Sequence, residues 1–202
     1  YIRPVSDSAY AIRTFNTDIG IQHSIFKDSI YGVQCLSKMS KATVGITLTK
    51  FTKTRIGVNT TDGINNYSIT KDTFDTSIRF GLLSDRCSGY IINNNRFTGP
   101  NPPTDSAGIQ MNNSGEYFNL IQQNIYNSIK HGNVVNGING NPNIGLQFLC
   151  NSYSNFTLHE NVLNGWVSLK QGEPLKGTGN TAADNQVDHD IKFGMNTDNM
   201  TY

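Results

Sequence analysis

The most regular feature of the chain is a six-residue phrase. It runs aliphatic, two variable positions, polar, one variable position, large apolar. It occurs as Ile21-Ser24-Phe26, Ile46-Thr49-Phe51, Ile69-Asp72-Phe74, Ile92-Asn95-Phe97, Ile121-Asn124-Tyr126 and Leu158-Asn161-Leu163. The closing residues lie 25, 23, 23, 29 and 37 positions apart. A second landmark is glycine followed by an aliphatic: Gly32-Val33, Gly57-Val58, Gly81-Leu82, Gly108-Ile109 and Gly145-Leu146. From each aliphatic to the next phrase takes 13, 11, 10, 12 and 12 steps.

Strand side chains alternate faces, so residues five apart on one straight strand point opposite ways. A turn at the polar residue resets that parity and lets both apolar ends point inward. Asn and Asp tolerate the left-handed conformation such a turn needs and bond readily to local backbone. Repeated at a period near 23, the phrase predicts an all-β fold, a right-handed parallel β-helix of about six coils. Its interior is filled by stacked Ile, Val, Leu and Phe, with Thr, Asp and Asn aligned above one another along the axis. An antiparallel sandwich also has strands every 8–12 residues, but it does not require the same phrase six times. The two longest steps contain 99–105 and 127–143, both between an aromatic and the next glycine landmark. This predicts loop insertions on one corner of neighbouring coils, where loops commonly form binding surfaces. The coils are expected over 1–163, and 164–202 reads as an irregular closing segment or the start of another module.

Composition agrees. The 202 residues include 26 Asn, 20 Ile, 19 Thr and 19 Gly, but only 6 Ala and 3 Glu. Strong helix formers are scarce, and strand and turn formers abound. A net charge of +1 with 15% charged residues gives no electrostatic footprint for nucleic acid or an anionic membrane. No apolar run approaches the roughly 20 residues of a membrane-spanning helix. Cys35, Cys87 and Cys150 show no CxxC spacing and read as free thiols rather than a disulfide framework.

Parallel β-helices include pectin-degrading enzymes, which directs attention to carboxylates. Asn59-Thr60-Thr61-Asp62-Gly63 is similar to the Asn-Thr-Asp-Gly phrase of polygalacturonases, without their Asp-Asp and Gly-His-Gly partners. Asp62 and Asp85 lie 23 residues apart, one coil, and could stack as the carboxylate pair glycoside hydrolysis needs. Asp72 and Asp75 are alternatives, and Arg55, Arg79 and Arg86 are candidate bases for a lyase. Turn aspartates bonding local backbone are the simpler reading. Asp188-His189-Asp190 could contribute to a cation site, but no metal-ligand spacing, phosphate-cradling loop or nucleophile elbow is present, so no metal and no cofactor are expected. Tyr67, Tyr90, Tyr117, Tyr153 and Trp166 lie outside the phrase and could stack on sugars. Burial against the terminal coil is the expected role of Trp166. Tyr117, His131 and Trp166 are the candidate loop residues for a ligand.

Gly145-Leu146-Gln147-Phe148-Leu149-Cys150-Asn151 is the most specific phrase. With Asn155, Gln171-Gly172 and Gly179-Asn180 it resembles large surface and secreted proteins of Bacteroidota that carry β-helix repeats. The chain departs from that pattern after 180, where Thr181-Ala182-Ala183 stands in place of an aromatic. The resemblance implies extracellular localisation, secreted or at the cell surface, after export by type IX secretion machinery. It implies an adhesin-like or gliding-associated role, with surface polysaccharide or another extracellular ligand as partner. It also implies O-glycan attachment at Asp-Ser followed by a small or aliphatic residue, which Ser8, Ser29 and Ser106 match, Ser106 in an expected exposed loop. The leading expectation is a non-catalytic adhesion or stalk segment of a larger protein. The alternative is a polysaccharide lyase or glycoside hydrolase acting on acidic polysaccharide.

Overall fold

The computed structural model describes residues 9–38, 42–75, 79–99, 106–141, 143–155, 159–168, 171, 180–182 and 191–193. They form an all-β solenoid, each turn contributing one strand to each of three parallel sheets. The first turn holds β1 (Tyr10–Phe15), β2 (Ile19–Gln22) and β3 (Ile25–Lys27). The second holds β4 (Tyr31–Leu36), β5 (Val44–Thr47) and β6 (Lys50–Thr52), and the third β7 (Ile56–Thr61), β8 (Ser68–Thr70) and β9 (Thr73–Asp75). The fourth holds β10 (Phe80–Asp85), β11 (Ile91–Asn93) and β12 (Arg96–Thr98), and the fifth β13 (Ala107–Asn112), β14 (Asn119–Gln122) and β15 (Ile125–Asn127). The sixth holds β16 (His131–Ile138), β17 (Leu146–Leu149) and β18 (Ser152–Ser154). Parallel pairing continues through β19 (His159–Trp166), β20 (Thr181–Ala182) and β21 (Ile191–Phe193). Sheet A stacks β1-β4-β7-β10-β13-β16-β19-β21, sheet B stacks β2 to β17 and sheet C stacks β3 to β20, each taking every third strand through β19.

The repeated phrase is the corner between sheets B and C. Ile46, Ile69, Ile92 and Ile121 stack as an inward column, as do Phe51, Phe74, Phe97 and Tyr126, all 1% exposed or less. The rings from Phe26 through Phe51, Phe74, Phe97 and Tyr126 to Tyr153 stack at 4.7–5.2 Å between centroids, within 17° of parallel. The left-handed residue is not the polar one, as the sequence suggested, but the residue before it. Leu48, Lys71, Asn94, Gln123 and Cys150 have φ of 53–59°. That conformation turns the next side chain inward. Thr49, Asp72, Asn95, Asn124 and Asn151 are therefore buried and bond upward in series. The backbone N–H of each donates to the side-chain Oδ1 of the next, at 2.6, 2.9, 2.9 and 3.1 Å, and Asn151 N–H continues the series to Asn180 Oδ1 at 2.8 Å. The amide nitrogens of Asn95, Asn124, Asn151 and Asn180 donate to the carbonyls of Ile69, Ile92, Ile121 and Phe148 at 2.9–3.2 Å. Corner backbone that would otherwise be buried without partners is satisfied from Ile69 onward, where the rung is asparagine.

The glycine landmark has a steric cause. A Cβ added at Gly57 would lie 2.6 Å from Phe74 Cδ1 and 2.6 Å from Gly81 O, and Gly32, Gly81 and Gly108 meet Phe51, Phe97 and Tyr126 at 2.5–2.6 Å. Only a residue without a side chain lets the aromatic column lie against sheet A.

Two assignments of the repeat are corrected. The sixth corner phrase is Phe148-Asn151-Tyr153, whereas Asn161 and Leu163 lie on β19 in sheet A. The landmark before it is Gly132-Asn133, not Gly145-Leu146, because Asn133 takes the inward place of Val33, Val58, Leu82 and Ile109. The aliphatic is replaced where the aromatic column changes to tyrosine. Tyr126 Oη donates to Asn133 Oδ1 at 2.8 Å, and Asn133 Nδ2 donates to Tyr153 Oη at 3.0 Å and Asn161 Oδ1 at 2.8 Å. As a result, 127–143 is not one loop but is crossed by β16. The first insertion falls between β12 in sheet C and β13 in sheet A, and the second between β16 in sheet A and β17 in sheet B, so the insertions do not share a corner.

Candidate functional site

The corner from sheet A to sheet B carries the chemistry-bearing candidates. Its turns use residues of positive φ at Asn16, Asp62, Arg86, Asn113 and Gly137 (49–72°), which aligns the side chains of successive coils. In coils 3 and 4 this brings Asp62 and Asp85 together, as their spacing suggested. Asp62 N–H donates to Asp85 O at 3.1 Å. Arg86 lies between the two carboxylates. Its Nε donates to Asp62 Oδ1 at 2.8 Å, its Nη2 pairs with the same oxygen, and its Nη1 lies 2.9 Å from Asp85 Oδ2. The bond to Asp62 and the neighbouring carboxylates push the Arg86 guanidinium further up from its ordinary range. Asp62 and Arg86, with Lys38 and Gly63, line a shallow surface depression. A glycosidase needs one carboxylic acid that holds a proton near neutral pH. Here one guanidinium engages both carboxylates as ion-pair partners.

The other carboxylates are occupied elsewhere. Asp72 is a rung of the internal ladder, and Asp75 faces outward with Lys50 at 3.5 Å. Arg79 lies over the Phe80 ring at 5.2 Å. His189 falls outside the described residues. Among the described residues no group of three or more His, Cys, Asp or Glu is gathered, and no helix is long and apolar enough to cross a membrane.

The aromatic candidates divide. Tyr67, Tyr90 and Tyr153 are interior, at 1% exposure or less, and burial raises the hydroxyl pKa of Tyr67 and Tyr90. Tyr67 Oη donates to Ser84 Oγ at 2.9 Å. Tyr117 and Trp166 are 61% and 51% exposed, so Trp166 is not buried against the terminal coil. It stands outward on β19 because it shares parity with exposed Asn164, opposite to inward Leu163. Trp166 pairs in register with Ile138, itself 53% exposed. Ile138 O accepts the Gly115 N–H at 2.8 Å, and the Tyr117 ring lies 3.5 Å from the position of a Cβ at Gly115. Ile138 and Trp166 are thus exposed in register, with exposed Tyr117 near the same corner in coil 5, and Phe118 and Ile144 are also exposed, at 51% and 41%. Sequence reasoning missed Ile138, Phe118 and Ile144, because an exposed aliphatic has no local signature once the strand parity is unknown. His131 is not part of this group. It opens β16 beside Ala107, seven residues or about 23 Å along the strand from Ile138.

Ser106, expected in an exposed loop, is 4% exposed, and the Ser29 hydroxyl is also buried. Ser8 falls outside the described residues. Cys35 and Cys87 are buried free thiols, and Cys150 is an exposed one.

The most specific sequence phrase has a structural job. Among the described residues no strand pairs with the outer edge of β17, where sheet B ends. The Gln171 side chain takes that place. Its Oε1 accepts the Phe148 N–H at 2.9 Å and its Nε2 donates to Leu146 O at 3.0 Å and Ser168 O at 2.8 Å. One glutamine caps the sheet edge while Asn180 continues the ladder beside it. The fold therefore places the protein among parallel β-solenoids. Beyond that class, no family model, curated protein or solved structure matches the chain.

Proposed function

We propose that this chain is a β-solenoid segment of a larger secreted or cell-surface protein, acting as a non-catalytic adhesive or spacing element. The single observation carrying the reading is how the polar side chains are used. Asp72, Asn95, Asn124, Asn151 and Asn180 are consumed as internal rungs, and Asp62 and Asp85 share one guanidinium. An interior filled by three kinds of stacked column gives a stiff rod suited to holding a surface at a distance. The resemblance of the Gly145–Asn151, Gln171 and Asn180 phrase to Bacteroidota surface proteins supports extracellular placement and export as type IX cargo.

A second reading is favoured by one observation, the juxtaposition of Asp62 and Asp85 about Arg86, beside a depression that Asp62 and Arg86 line. It makes the segment a lyase or glycosidase for acidic polysaccharide. Incubation with pectin and alginate, followed by assay for new reducing ends and unsaturated products, separates the two. The non-catalytic reading expects none. Cleavage abolished by Asp85→Asn would replace it with the enzymatic one.

A further inference from the structure

The outer face of sheet A in coils 5 to 7 carries a second ladder, distinct from the internal one. Asn112, Asn136 and Asn164 occupy one outward row, in register through β13, β16 and β19. Asn136 Nδ2 donates to Asn112 Oδ1 at 2.8 Å, and Asn164 Nδ2 donates to Asn136 Oδ1 at 3.0 Å. Asn136 and Asn164 each spend one N–H on the neighbour below and keep a second N–H and acceptor capacity for solvent, while Asn112 Oδ1 also accepts from Gln110 Nε2 at 3.2 Å. Two residues further along the same strands, past the turn at Gly137, stand the exposed Ile138 and Trp166, with the exposed Tyr117 near the same corner in coil 5. The row is therefore a strip of amides repeating every coil, at about 4.8 Å, bordered by a strip of exposed apolar and aromatic surface.

We propose that this strip binds an uncharged polysaccharide laid along the solenoid axis. The inference rests on the adhesive reading and supplies its ligand class. A sugar ring has one apolar face of C–H groups and an equatorial edge of hydroxyls. The strip offers the complement of each, Trp166 and Tyr117 for the faces and the asparagine amides for the hydroxyls. The charges bordering the strip are already engaged. Glu116 Oε2 accepts from Asn141 Nδ2 at 2.9 Å, and Asp85, one rung before Asn112, is paired with Arg86. With the Arg86 charge spent on Asp62 and Asp85, and Glu116 bonded only to a neutral amide, the strip favours a neutral polymer over an acidic one. A protein partner would call for a closed apolar patch, whereas here half of the row is hydrogen-bonding amide.

The test is affinity electrophoresis of the 202-residue chain through gels containing soluble β-glucan, xylan, mannan or dextran, with alginate and polygalacturonate as acidic comparators. At least one neutral polymer should retard the protein. Trp166→Ala should weaken that retention about tenfold, and Trp166→Ala combined with Asn164→Ala should abolish it. Both side chains are exposed, so circular dichroism and the melting temperature should not change. Retardation by acidic polymers alone, or equal retardation of Trp166→Ala, would overturn the proposal. So would a dimer in sedimentation that Trp166→Ala dissolves, since the strip would then serve a second copy. Failure to bind any polymer without cleaving one sinks this inference and leaves the spacer role intact. Cleavage of the retained polymer sinks the non-catalytic reading and leaves the site.

Discussion

Asp72 is a carboxylate built into a column of amides, and replacing it with asparagine should stabilise the protein in a pH-dependent way. The side chain is 1% exposed. Its Oδ1 accepts the Thr49 N–H at 2.6 Å, while Oδ2 is buried without a hydrogen-bond partner. At the equivalent position in the following coils an amide nitrogen donates to a carbonyl, as Asn95 does to Ile69 O. Ile46 stands in register with Ile69, so Oδ2 occupies the place of a donor facing a carbonyl. Burial pushes the Asp72 carboxyl up from 3.8 to about 7, against the lowering effect of its backbone hydrogen bonds. Because the folded value lies above the unfolded one, folding takes up a proton. The contribution is fully present below about pH 3.8 and is lost as pH rises through 7. Over that interval the ionisation penalty amounts to about 4 kcal/mol, an upper bound. Asp72→Asn keeps the shape, supplies the missing donor and removes the penalty. Thermal and urea unfolding should show a gain of about 2–4 kcal/mol at pH 8.5, or about 5–15 °C, shrinking to 1 kcal/mol or less at pH 4.5. An equal gain at both pH values, or a loss at pH 8.5, would refute the assignment of Asp72 as a proton-holding rung.

Three further outcomes are expected. Gly57→Ala should destabilise by about 3 kcal/mol, since its methyl would overlap both the Phe74 ring and Gly81 O, and an unchanged urea midpoint would count against the glycine–aromatic lock. Tyr126→Phe should cost about 1–2 kcal/mol by removing the donor to Asn133, and Asn133→Val should cost at least as much, yet the double variant should cost less than their sum. Strict additivity would mean the two are not coupled. Thiol titration of the native protein should modify Cys150 promptly and leave Cys35 and Cys87 until denaturant is added. Both are buried, with burial holding Cys35 up at about 11, so three rapid thiols would contradict the packing.

The solenoid was legible because its physics is local and repetitive. One phrase per coil states where the chain turns, which side chains enter the core and which polar atom joins the column. Phe51, Phe74 and Phe97 could thus be stacked from spacing alone, whereas Asp85 falls opposite Thr61, one place out of line with Asp62. Legibility failed where two changes compensated each other. Asn133 breaks the aliphatic column only because Tyr126 and Tyr153 bring hydroxyls into the same layer, and reading either position alone misassigns the coil.

Period, strand content and the identity of the inward columns were thus fixed by the order of residues, because alternation and turn chemistry act within a few positions. The partners across coils were not. Arg86 bridging Asp62 and Asp85, Gln171 capping β17 and the outward strip of Asn112, Asn136, Asn164 and Trp166 depend on register and on which parity faces solvent. A shift of one residue reverses every face of a strand. Packing of the whole core, rather than any local preference, settles that choice.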